Sequence, residues 1–466
     1  MDVTVVGSGP NGLAAALTLA SAGVSVRVIE AASELGGGTR SVVRDGLIFD
    51  ECSGFHPFAT ASPFAKEFAL DVTWRHAPTV LAHPQDAGAG AHLDRSVEQT
   101  AASLGADGGS WQRLFGPLVQ RFDTISEEFL QPVVHVPRHP FHLARFGMYA
   151  AQPATVLARR WSHEPARGLF GGIAAHAFTR LDAPFSAAVG VALGTASHAY
   201  GWPVAEGGSG AIAAAMVARG RELGVSFETG RLVSSVDEVP ADLVMLDTAP
   251  GAAARILGSR LPGRVARAYG RYRHGPAAFK VDFAVEGGVP WAYEPGRRAA
   301  VLHLGGTLRE IAAAEADTTA GRMPERPFVL VGQQSLADPT RSRDGVQPFY
   351  AYAHVPAGFT GDATAAILAQ VERFAPGFRE RVVATYVTST TDLSRKNPNY
   401  VGGDIATGLS NVRQVFFRPR AALDPYATGA PGAYLCSAAT PPGAGAHGMC
   451  GMLAARSALR GLSTGR

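Results

Sequence analysis

Residues 2–41 read DVTVVGSGPNGLAAALTLASAGVSVRVIEAASELGGGTRS, and this stretch decides the fold. Residues 2–6 and 24–29 are short, mostly apolar and rich in valine, which predicts two β-strands. The Ala/Leu-rich residues 11–22 between them predict a helix that ends at Gly23. A strand, a helix and a second strand of this length form a right-handed βαβ unit with parallel strands.

The glycines of the first turn are spaced as in a dinucleotide-binding loop. Gly7 permits the tight turn, Gly9 lets a pyrophosphate approach the bare backbone, and Gly12 lets helix and strand pack closely. The helix N-terminus supplies free N–H groups and partial positive charge for phosphate. Glu30 ends the second strand, where its carboxylate can accept hydrogen bonds from the hydroxyls of an unphosphorylated ribose. The alternative is a glycine-rich turn without a ligand.

A second glycine cluster predicts that the dinucleotide is FAD. Residues 34–41 read ELGGGTRS and follow the acidic residue almost directly. This cluster lets another loop approach the same pyrophosphate, whose charge Arg40 can offset. NAD-binding domains do not usually carry such a cluster, which is common where an extended FAD is held along its length. A flexible β-turn is the alternative.

A third glycine-rich segment lies near the C-terminus. Residues 434–449 read YLCSAATPPGAGAHGM, which predicts a strand, a Gly/Pro-rich turn and a final helix that begins near Gly448. The N-terminus of this helix can face the flavin ring, where its dipole would stabilise negative charge on the reduced flavin. An ordinary connection between a strand and a helix is the alternative.

These three segments resemble the phytoene desaturase and carotenoid isomerase-like family of FAD-dependent proteins with the amine-oxidase fold. Within it, the chain is similar to the bacterial NAD(P)/FAD-dependent oxidoreductases. Four further segments carry the resemblance: GFHPFATASP at 54–63, GWPVAEGGSGAIAAAM at 201–216, NPNYVGGDI at 397–405 and FFRPR at 416–420.

The expected fold class is α/β (α+β overall) in two domains. A Rossmann-like FAD-binding domain with a parallel sheet is expected from residues 1–75, 201–278 and 391–466. A substrate-binding domain of mixed sheet and helices is expected from residues 76–200 and 279–390. Residues 96–200 predict a helical insertion, because they carry helical patterns such as 111–130 and no alternation of strands and helices. Residues 231–236 (RLVSSV) predict a further strand.

The cofactor site combines the motif residues with positions that the resemblance implies. The resemblance places the turn 440–449 beside the isoalloxazine ring and the backbone of Val233 against the adenine. His56 is expected to orient a loop near the cofactor, and Arg418 to form an ion pair or hold a loop. The predicted cofactor-binding residues are Gly7, Ser8, Gly9, Pro10, Asn11, Gly12, Glu30, Ala31, Gly37, Gly38, Thr39, Arg40, His56, Val233, Thr440, Gly448 and Met449.

The predicted chemistry is removal of a hydride, a desaturation or dehydrogenation, from an apolar or conjugated small molecule. His447 is the candidate catalytic residue, as a polariser or proton relay, and a structural donor to a backbone carbonyl at the helix start is its alternative. No second Rossmann fingerprint is visible, so we expect oxygen or a quinone to reoxidise the flavin.

Two other activities are left open. The first is an amine oxidase, whose aromatic cage would come from Tyr400, Phe416, Phe417 or Tyr426. The second is a non-redox double-bond isomerase that uses reduced FAD, or a binding protein that uses FAD structurally.

Composition restricts the partners. A net charge of +3 without a long Lys/Arg run argues against nucleic acid, and three cysteines without a CxxC pair favour a reducing, cytoplasmic compartment and predict no metal site. The uncharged residues 183–205 could span a bilayer by length, but their small and polar residues favour a buried helix. Apolar helices within 140–200 leave open a peripheral membrane contact, with a packed core as the alternative. Oligomeric state is not predicted.

Overall fold

The computed structural model describes residues 1–464 of the chain and contains two main sheets. Its strands are β1 (Asp2–Val6), β2 (Ser25–Ile29), β3 (Ser41–Arg44), β4 (Leu47–Asp50), β5 (Trp74–Arg75), β6 (Thr79–Pro84), β7 (Gly90–Leu93), β8 (Val204–Ala205), β9 (Ser226–Glu228), β10 (Leu243–Leu246), β11 (Ala277–Glu286), β12 (Ala299–Leu304), β13 (Val329–Gly332), β14 (Val346–Val355), β15 (Val382–Thr388) and β16 (Ala433–Leu435).

Helices connect these strands and form most of the segment between β7 and β8. They are α1 (Pro10–Ser21), α2 (Pro63–Phe68), α3 (Val97–Ser103), α4 (Gly108–Val119), α5 (Phe122–Phe129), α6 (Pro140–Ala150), α7 (Ala154–Leu157), α8 (Glu164–Ala175), α9 (Ala187–Tyr200), α10 (Gly210–Glu222), α11 (Pro250–Leu257), α12 (Gly263–Gly270), α13 (Leu308–Thr319), α14 (Thr364–Phe374), α15 (Thr390–Lys396), α16 (Val412–Phe417) and α17 (Met449–Thr464).

The first sheet is five-stranded and entirely parallel, in the order β16-β10-β1-β2-β9. Strand β1 lies at its centre and is buried from Val3 to Val6, as expected for a parallel sheet covered on both faces. The predicted βαβ unit is therefore confirmed. The carboxyl ends of β1, β2 and β10 meet at one edge, which is where such sheets bind ligands.

The second sheet is seven-stranded and mixed, in the order β15-β11-β14-β13-β12-β6-β7. One face packs against the helices of residues 97–200 in a core that contains Trp111, Trp161 and Phe170. The other face packs against α14 through Ile367 and Phe374. A parallel Rossmann-like sheet beside a separate mixed sheet confirms the predicted fold class, whereas the exact domain boundaries stay a prediction.

Two local predictions differ from the structure. Residues 111–130 form two helices, α4 and α5, that separate at Gln120 and Arg121. The strand expected at 231–236 is wrong: Val233 and Val236 are buried beside the parallel sheet without joining its ladder. Alternating apolar residues mark one buried side of an extended segment, but they do not reveal whether a strand lies alongside to pair with it.

Helix α9 accounts for most of the uncharged segment 183–205. It is 14 residues long and packs against α4, α6 and α8, so the expectation of a buried helix is confirmed. Within residues 1–464, no helix has the length and apolar character needed to cross a membrane.

A buried ion-pair network joins the seven-stranded sheet to the β3–β4 hairpin and to the start of α10. Arg341, which lies between β13 and β14, places Nη1 at 2.6 Å from Asp50 Oδ2 and Nε at 3.2 Å from Asp338 Oδ2, and all three side chains are buried. Asp50 ends β4, and its other oxygen accepts a hydrogen bond from the N–H of Ser209 at the start of α10. Burial by itself raises the pKa of Asp50, but the charge of Arg341 and these hydrogen bonds outweigh it and hold the pKa below 3.8.

We expect Arg341→Met to lower the free energy of unfolding by about 3–5 kcal/mol, because two buried carboxylates lose their cation. The control Arg343→Met removes an exposed partner of Asp344 and should change it by less than about 1 kcal/mol. Urea unfolding measures both.

Because the pKa of Asp50 is lowered, the contribution of Asp50 to the free energy of unfolding should be present at neutral pH and be lost as the pH falls below 4. Equal effects of the two substitutions would contradict the role of the network.

Candidate functional site

The first glycine loop is packed too closely for any side chain. Gly7 adopts a φ of +100°, a region that favours glycine. A Cβ atom on Gly9 would lie 2.7 Å from Asp247 Oδ2, and one on Gly12 would lie 2.3 Å from the carbonyl oxygen of Gly7. The glycines therefore bring the backbone of the loop directly against the sheet and Asp247, whereas the predicted contact of Gly9 with a pyrophosphate stays a prediction.

The second glycine cluster lies against the first. A Cβ on Gly37 would lie 2.9 Å from the Cα of Gly9, and the N–H of Gly36 donates to the carbonyl oxygen of Ser8 at 3.1 Å. Thr39 is buried, and its hydroxyl donates to the carbonyl oxygen of Gly36. The loop at residues 7–12 and the loop at residues 36–39 are thus in backbone contact, and we call them together the glycine cradle.

The carboxylate of Glu30 holds this cradle together. Its Oε2 accepts hydrogen bonds from the N–H of Ser8 at 2.9 Å and from the Ser8 hydroxyl at 2.6 Å. Its Oε1 accepts one from the N–H of Ala32 at 2.8 Å. Glu30 therefore lies at the end of β2 as predicted, and its contact with a ribose stays a prediction.

Asp247 is a site residue that the sequence reasoning missed. It follows β10, and its Oδ2 accepts a hydrogen bond at 3.0 Å from the N–H of Gly12, one of the free donors at the start of α1. Burial raises the pKa of Asp247 to about 7; the Gly12 hydrogen bond opposes this shift, and the charge of Glu30 adds to it. The signal available in the sequence was an acidic residue directly after an apolar strand, LVMLD.

The C-terminal turn is fixed above the first helix by another glycine contact. A Cβ on Gly451 of α17 would lie 1.8 Å from the carbonyl oxygen of Asn11 on α1. The two helices therefore cross in backbone contact, and residues 440–448 lie over the N-terminus of α1. Gly448 has a φ of +71° and packs against the ring of Phe64.

A cavity of about 720 Å³ begins at the glycine cradle and passes beneath the C-terminal turn. The amide of Asn11 lies in its wall, and the buried Oδ1 of that amide has no hydrogen-bond partner among the described residues. A bare backbone cradle and a helix N-terminus fit the diphosphate of a dinucleotide, and the free Oδ1 of Asn11 can accept a hydrogen bond from a donor on the ligand. Among the predicted site residues, those that line the cavity are Gly9, Pro10, Asn11, Gly38, Thr39, His56 and His447.

The other predicted residues lie outside this wall. The base of the cradle is formed by Gly7, Ser8, Gly12, Glu30 and Gly37. Ala31 is exposed just beyond it. Thr440, Gly448 and Met449 support the C-terminal turn from behind. Val233 is buried at the edge of the parallel sheet beside Ile29. Arg40 does not reach the cavity, because it pairs with Glu51 at 2.9 Å and donates to the carbonyl oxygen of Lys396.

Both predicted histidines are buried and neutral at pH 7. Burial lowers the pKa of His56 and that of His447 to about 4. His56 Nε2 lies 2.8 Å from the hydroxyl of Ser209, which anchors its loop to α10. His447 Nδ1 accepts the N–H of Met449 at 3.0 Å, so at the helix start this nitrogen is an acceptor and not the donor to a carbonyl that was the alternative to catalysis. Its catalytic role stays a prediction.

The far wall of the cavity is aromatic. Tyr350 and Tyr352 on β14 lie with their ring centroids 6.3 Å apart and their planes 14° apart, and Phe178 is parallel to Tyr352 within 4°. Of the four residues proposed for an aromatic cage, Tyr400 and Phe416 line the cavity. Phe417 is outside it and exposed, and the hydroxyl of Tyr426 donates to the carbonyl oxygen of Pro441 behind the turn.

A buried histidine pair lies beside the same wall, and His176 lines the cavity. His176 Nε2 lies 2.9 Å from Nε2 of His303, so one ring donates and the other accepts. Burial, with a smaller contribution from the nearby His354, lowers the pKa of His176 to about 3, so the ring is neutral at physiological pH. With Nε2 engaged by His303, Nδ1 of His176 is the atom left to meet a molecule in the cavity. No motif in the sequence predicts this pair, whose members are 127 residues apart.

Arg418 is a buried cation in the cavity wall. No ion pair among residues 1–464 includes it, and its Nε has no hydrogen-bond partner there, so the expected ion pair is not found. Its Nη1 lies 2.3 Å from where a Cβ on Gly443 would stand, which places the charge directly beneath the C-terminal turn. A buried guanidinium without a carboxylate can stabilise negative charge on a ligand. Among the same residues, no group of three or more His, Cys, Asp or Glu is arranged to hold a metal ion.

Solved structures share the fold over the whole chain. An oxidoreductase from Methanosarcina mazei matches with a TM-score of 0.65 at 17% identity, over 99% of this chain and 100% of that one. Putrescine oxidase bound to putrescine matches with a TM-score of 0.61 at 17% identity over 99% of both chains. The chain has the fold of these oxidoreductases. Cyclohexylamine oxidase from Brevibacterium oxydans IH-35A also matches, with a TM-score of 0.57 at 17% identity over 100% of this chain and 99% of that one.

Sequence comparison locates the similarity in the βαβ unit. Residues 5–69 match the NAD(P)-binding Rossmann-like domain family. A stretch of 61 residues is 49% identical to protoporphyrinogen oxidase 2, chloroplastic/mitochondrial, of Arabidopsis thaliana. That stretch covers 13% of this chain and 12% of the relative, so the match spans only a small part of either protein.

We expect FAD binding to weaken as the pH rises through about 7, because an ionised Asp247 holds the Gly12 N–H and repels a pyrophosphate. Asp247→Asn should bind FAD more tightly than the unmodified protein at pH 8.5, by about tenfold or more, and equally at pH 6. Calorimetric titration of the apoprotein measures both. Asp242→Asn, at the exposed opposite end of β10, is the matched control and should keep the original pH dependence. A pH dependence that survives in Asp247→Asn would contradict this role.

Proposed function

We propose that the protein is an FAD-dependent oxidoreductase that removes a hydride from an apolar or conjugated small molecule. The observation that carries the proposal is a single cavity that joins the glycine cradle to an aromatic wall, with the C-terminal turn between them. Bound FAD would supply the hydride acceptor. The phytoene desaturase-like subgroup is part of this proposal, as is reoxidation of the flavin by oxygen or a quinone.

The choice of FAD rather than NAD rests on the number of loops at the cradle. The Rossmann family match is common to both cofactors, so it does not distinguish them. Here the second glycine cluster lies in backbone contact with the first, and the C-terminal turn covers the cavity that continues from it. A dinucleotide extended through this path would be held by Gly9 and Gly37 at its diphosphate and would reach residues 441–447 with its ring.

The walls around the proposed ring favour an apolar substrate. Only two acidic residues line the cavity, Asp247 at the cradle and Glu128 near the other end. Glu128 is already engaged, since its carboxylate accepts from the ring of His135 at 2.6 Å and from the N–H of His139 at 2.7 Å. The remaining surface is largely aromatic and aliphatic, which orients a substrate by shape and excludes water.

Two polar groups in the wall have defined tasks in this proposal. Arg418 places a fixed positive charge beneath the C-terminal turn, where it would stabilise the negative charge that the ring gains on reduction. His176, neutral and held by His303, would donate or accept one hydrogen bond at a polar end of the substrate. Neither group needs to change its protonation state near neutral pH.

Amine oxidation is the second candidate and is equally well supported at this level. Two structures with the same fold are amine oxidases by name, and Tyr400 and Phe416 both line the cavity. The observation against it is that Tyr350, Tyr352 and Phe178 stack along one wall rather than facing each other across the space that a small amine would occupy.

We expect Gly9→Val to purify with bound FAD reduced at least about tenfold, because the added side chain collides with Asp247 Oδ2 and forces the loop out of the cradle; tenfold corresponds to about 1.4 kcal/mol of binding. Gly270→Ala is the control, since a Cβ there meets nothing within 4 Å. Flavin absorbance per chain measures retention, and circular dichroism verifies folding. A folded Gly9→Val protein with full flavin content would contradict the placement of the cofactor.

Anaerobic flavin bleaching separates the candidate activities. A conjugated polyene should bleach the flavin, whereas putrescine, cyclohexylamine and NADPH should not. The two carboxylates in the cavity wall already accept hydrogen bonds, Asp247 from Gly12 and Glu128 from His135 and His139, and the sequence shows no second Rossmann fingerprint. Bleaching by the amines alone would favour amine oxidation. Turnover of a polyene only after reduction with dithionite would favour isomerisation, and rapid bleaching by NADPH would contradict the predicted electron acceptors.

A further inference from the structure

The hydrogens of the histidine pair beside the cavity can be placed on defined ring nitrogens. Both rings are neutral at pH 7, because burial lowers the pKa of His176 to about 3 and that of His303 well below 6.5. A neutral imidazole carries one N–H, and its other nitrogen is an acceptor. The two Nε2 atoms lie 2.9 Å apart, so one of them donates to the other, and the direction of this bond determines the tautomer of both rings.

The surroundings of His303 decide this direction. Its Nδ1 is buried and has no hydrogen-bond partner among residues 1–464. A Cβ on Gly172 of α8 would lie 2.7 Å from this Nδ1, so the hydrogen that Gly172 carries in that direction faces the atom. An N–H at this position would meet a C–H and lack an acceptor, which is rare for buried N–H groups, whereas a lone pair accepts the C–H contact. His303 therefore carries its hydrogen on Nε2.

His176 consequently presents an N–H to the cavity. Its Nε2 accepts the hydrogen bond from Nε2–H of His303, so its own hydrogen is on Nδ1, in a ring that lines the cavity. Trp202 lines the cavity beside it, with the two ring centroids 5.2 Å apart and the planes at 88°. The indole N–H of Trp202 can only donate, and it is buried without a partner in the part of the chain that the structure describes. This part of the wall thus holds two donors that lack an acceptor.

We propose that His176 and Trp202 bind a carbonyl oxygen of the substrate, so that the substrate is an apolar, conjugated molecule with a ketone or aldehyde group at one end. A carbonyl oxygen has two lone pairs and no hydrogen, which matches a pair of donors. His303 is a positioning residue, because it acts on the substrate only by fixing the tautomer of His176. The inference rests on the proposed function, since it names the substrate class of the same cavity.

Other polar groups fit these two donors less well. The ammonium group of an amine carries only N–H donors, which would face two further donors. An alcohol can accept a hydrogen bond, but its own O–H then needs an acceptor in the wall. A carboxylate would bring a buried charge to a place where both donors are neutral. A ketone or aldehyde satisfies both N–H groups and leaves no polar atom of its own unpaired.

Calorimetric binding to the FAD-loaded full chain tests the proposal. The probes are β-ionone, a conjugated ketone, and the hydrocarbon in which a methylene group replaces its carbonyl oxygen. We expect the ketone to bind at least about tenfold more tightly, because the hydrocarbon leaves two buried N–H groups without an acceptor. His176→Phe should reduce this preference to about twofold, whereas His163→Phe, which changes an exposed ring outside the cavity, should keep it. Equal binding of the two probes by the unmodified protein, or binding of neither, would overturn the proposal.

The positions of the hydrogens are measured independently of binding. Nitrogen-15 NMR of the histidine-labelled protein distinguishes protonated from unprotonated ring nitrogens, and the spectrum of His176→Phe assigns the signals. We expect His176 to be protonated at Nδ1 and His303 at Nε2, and the reverse arrangement would overturn the proposal. His303→Gln retains an N–H donor for His176 and should keep the preference for the ketone, whereas His303→Leu lacks the donor and should lower it.

Flavin bleaching separates this proposal from the proposed reaction. Preferential binding of the ketone, without bleaching by any conjugated compound, would contradict the reaction and support the recognition of a carbonyl oxygen. Bleaching by conjugated hydrocarbons, together with equal affinity for the two probes, would support the reaction and overturn the recognition. Flavin content per chain is measured in every variant, so a loss of the cofactor is seen separately from a loss of probe binding.

Discussion

The structure depends on one steric constraint: at the carboxyl edge of the parallel sheet, separate backbone segments meet with room only for hydrogen atoms between them. Gly9 lies against Asp247 and Gly37, and Gly451 lies against the carbonyl of Asn11. Any Cβ at these positions would force a loop or helix away from the sheet. Because the same contacts hold the C-terminal turn over the start of the first helix, they also determine where the cavity begins and what covers it.

The charges of the site are arranged around that constraint. Asp247 is buried at one end, where burial raises its pKa to about 7, so we expect the cradle's affinity for an anion to depend on pH. Arg418 is buried beneath the C-terminal turn without a carboxylate, and His176 stays neutral in the far wall. A ligand that carries a diphosphate at one end and a ring that gains negative charge at the other would satisfy these groups, which the protein itself leaves only partly satisfied.

Sequence reasoning succeeded where the signal is local. The βαβ unit lies within about 30 consecutive residues. The spacing of Gly7, Gly9 and Gly12 and the valine-rich strands on either side are therefore enough to predict it. Asp247 could not be predicted in the same way, because its role depends on β10 pairing with β1 across more than 200 residues. The pairing of His176 with His303 is likewise a product of packing between a helix and a strand, and residues 231–236 show that an extended apolar pattern does not reveal its partner strand.

The most direct test of the central assignment is an absorption spectrum of the purified chain after incubation with excess FAD and removal of unbound flavin. We expect a yellow protein that retains about one FAD per chain, as a single cradle of this type holds one dinucleotide. Incubation with NAD in place of FAD should leave no comparable bound dinucleotide. A protein that stays colourless with FAD would contradict the assignment and leave only the fold.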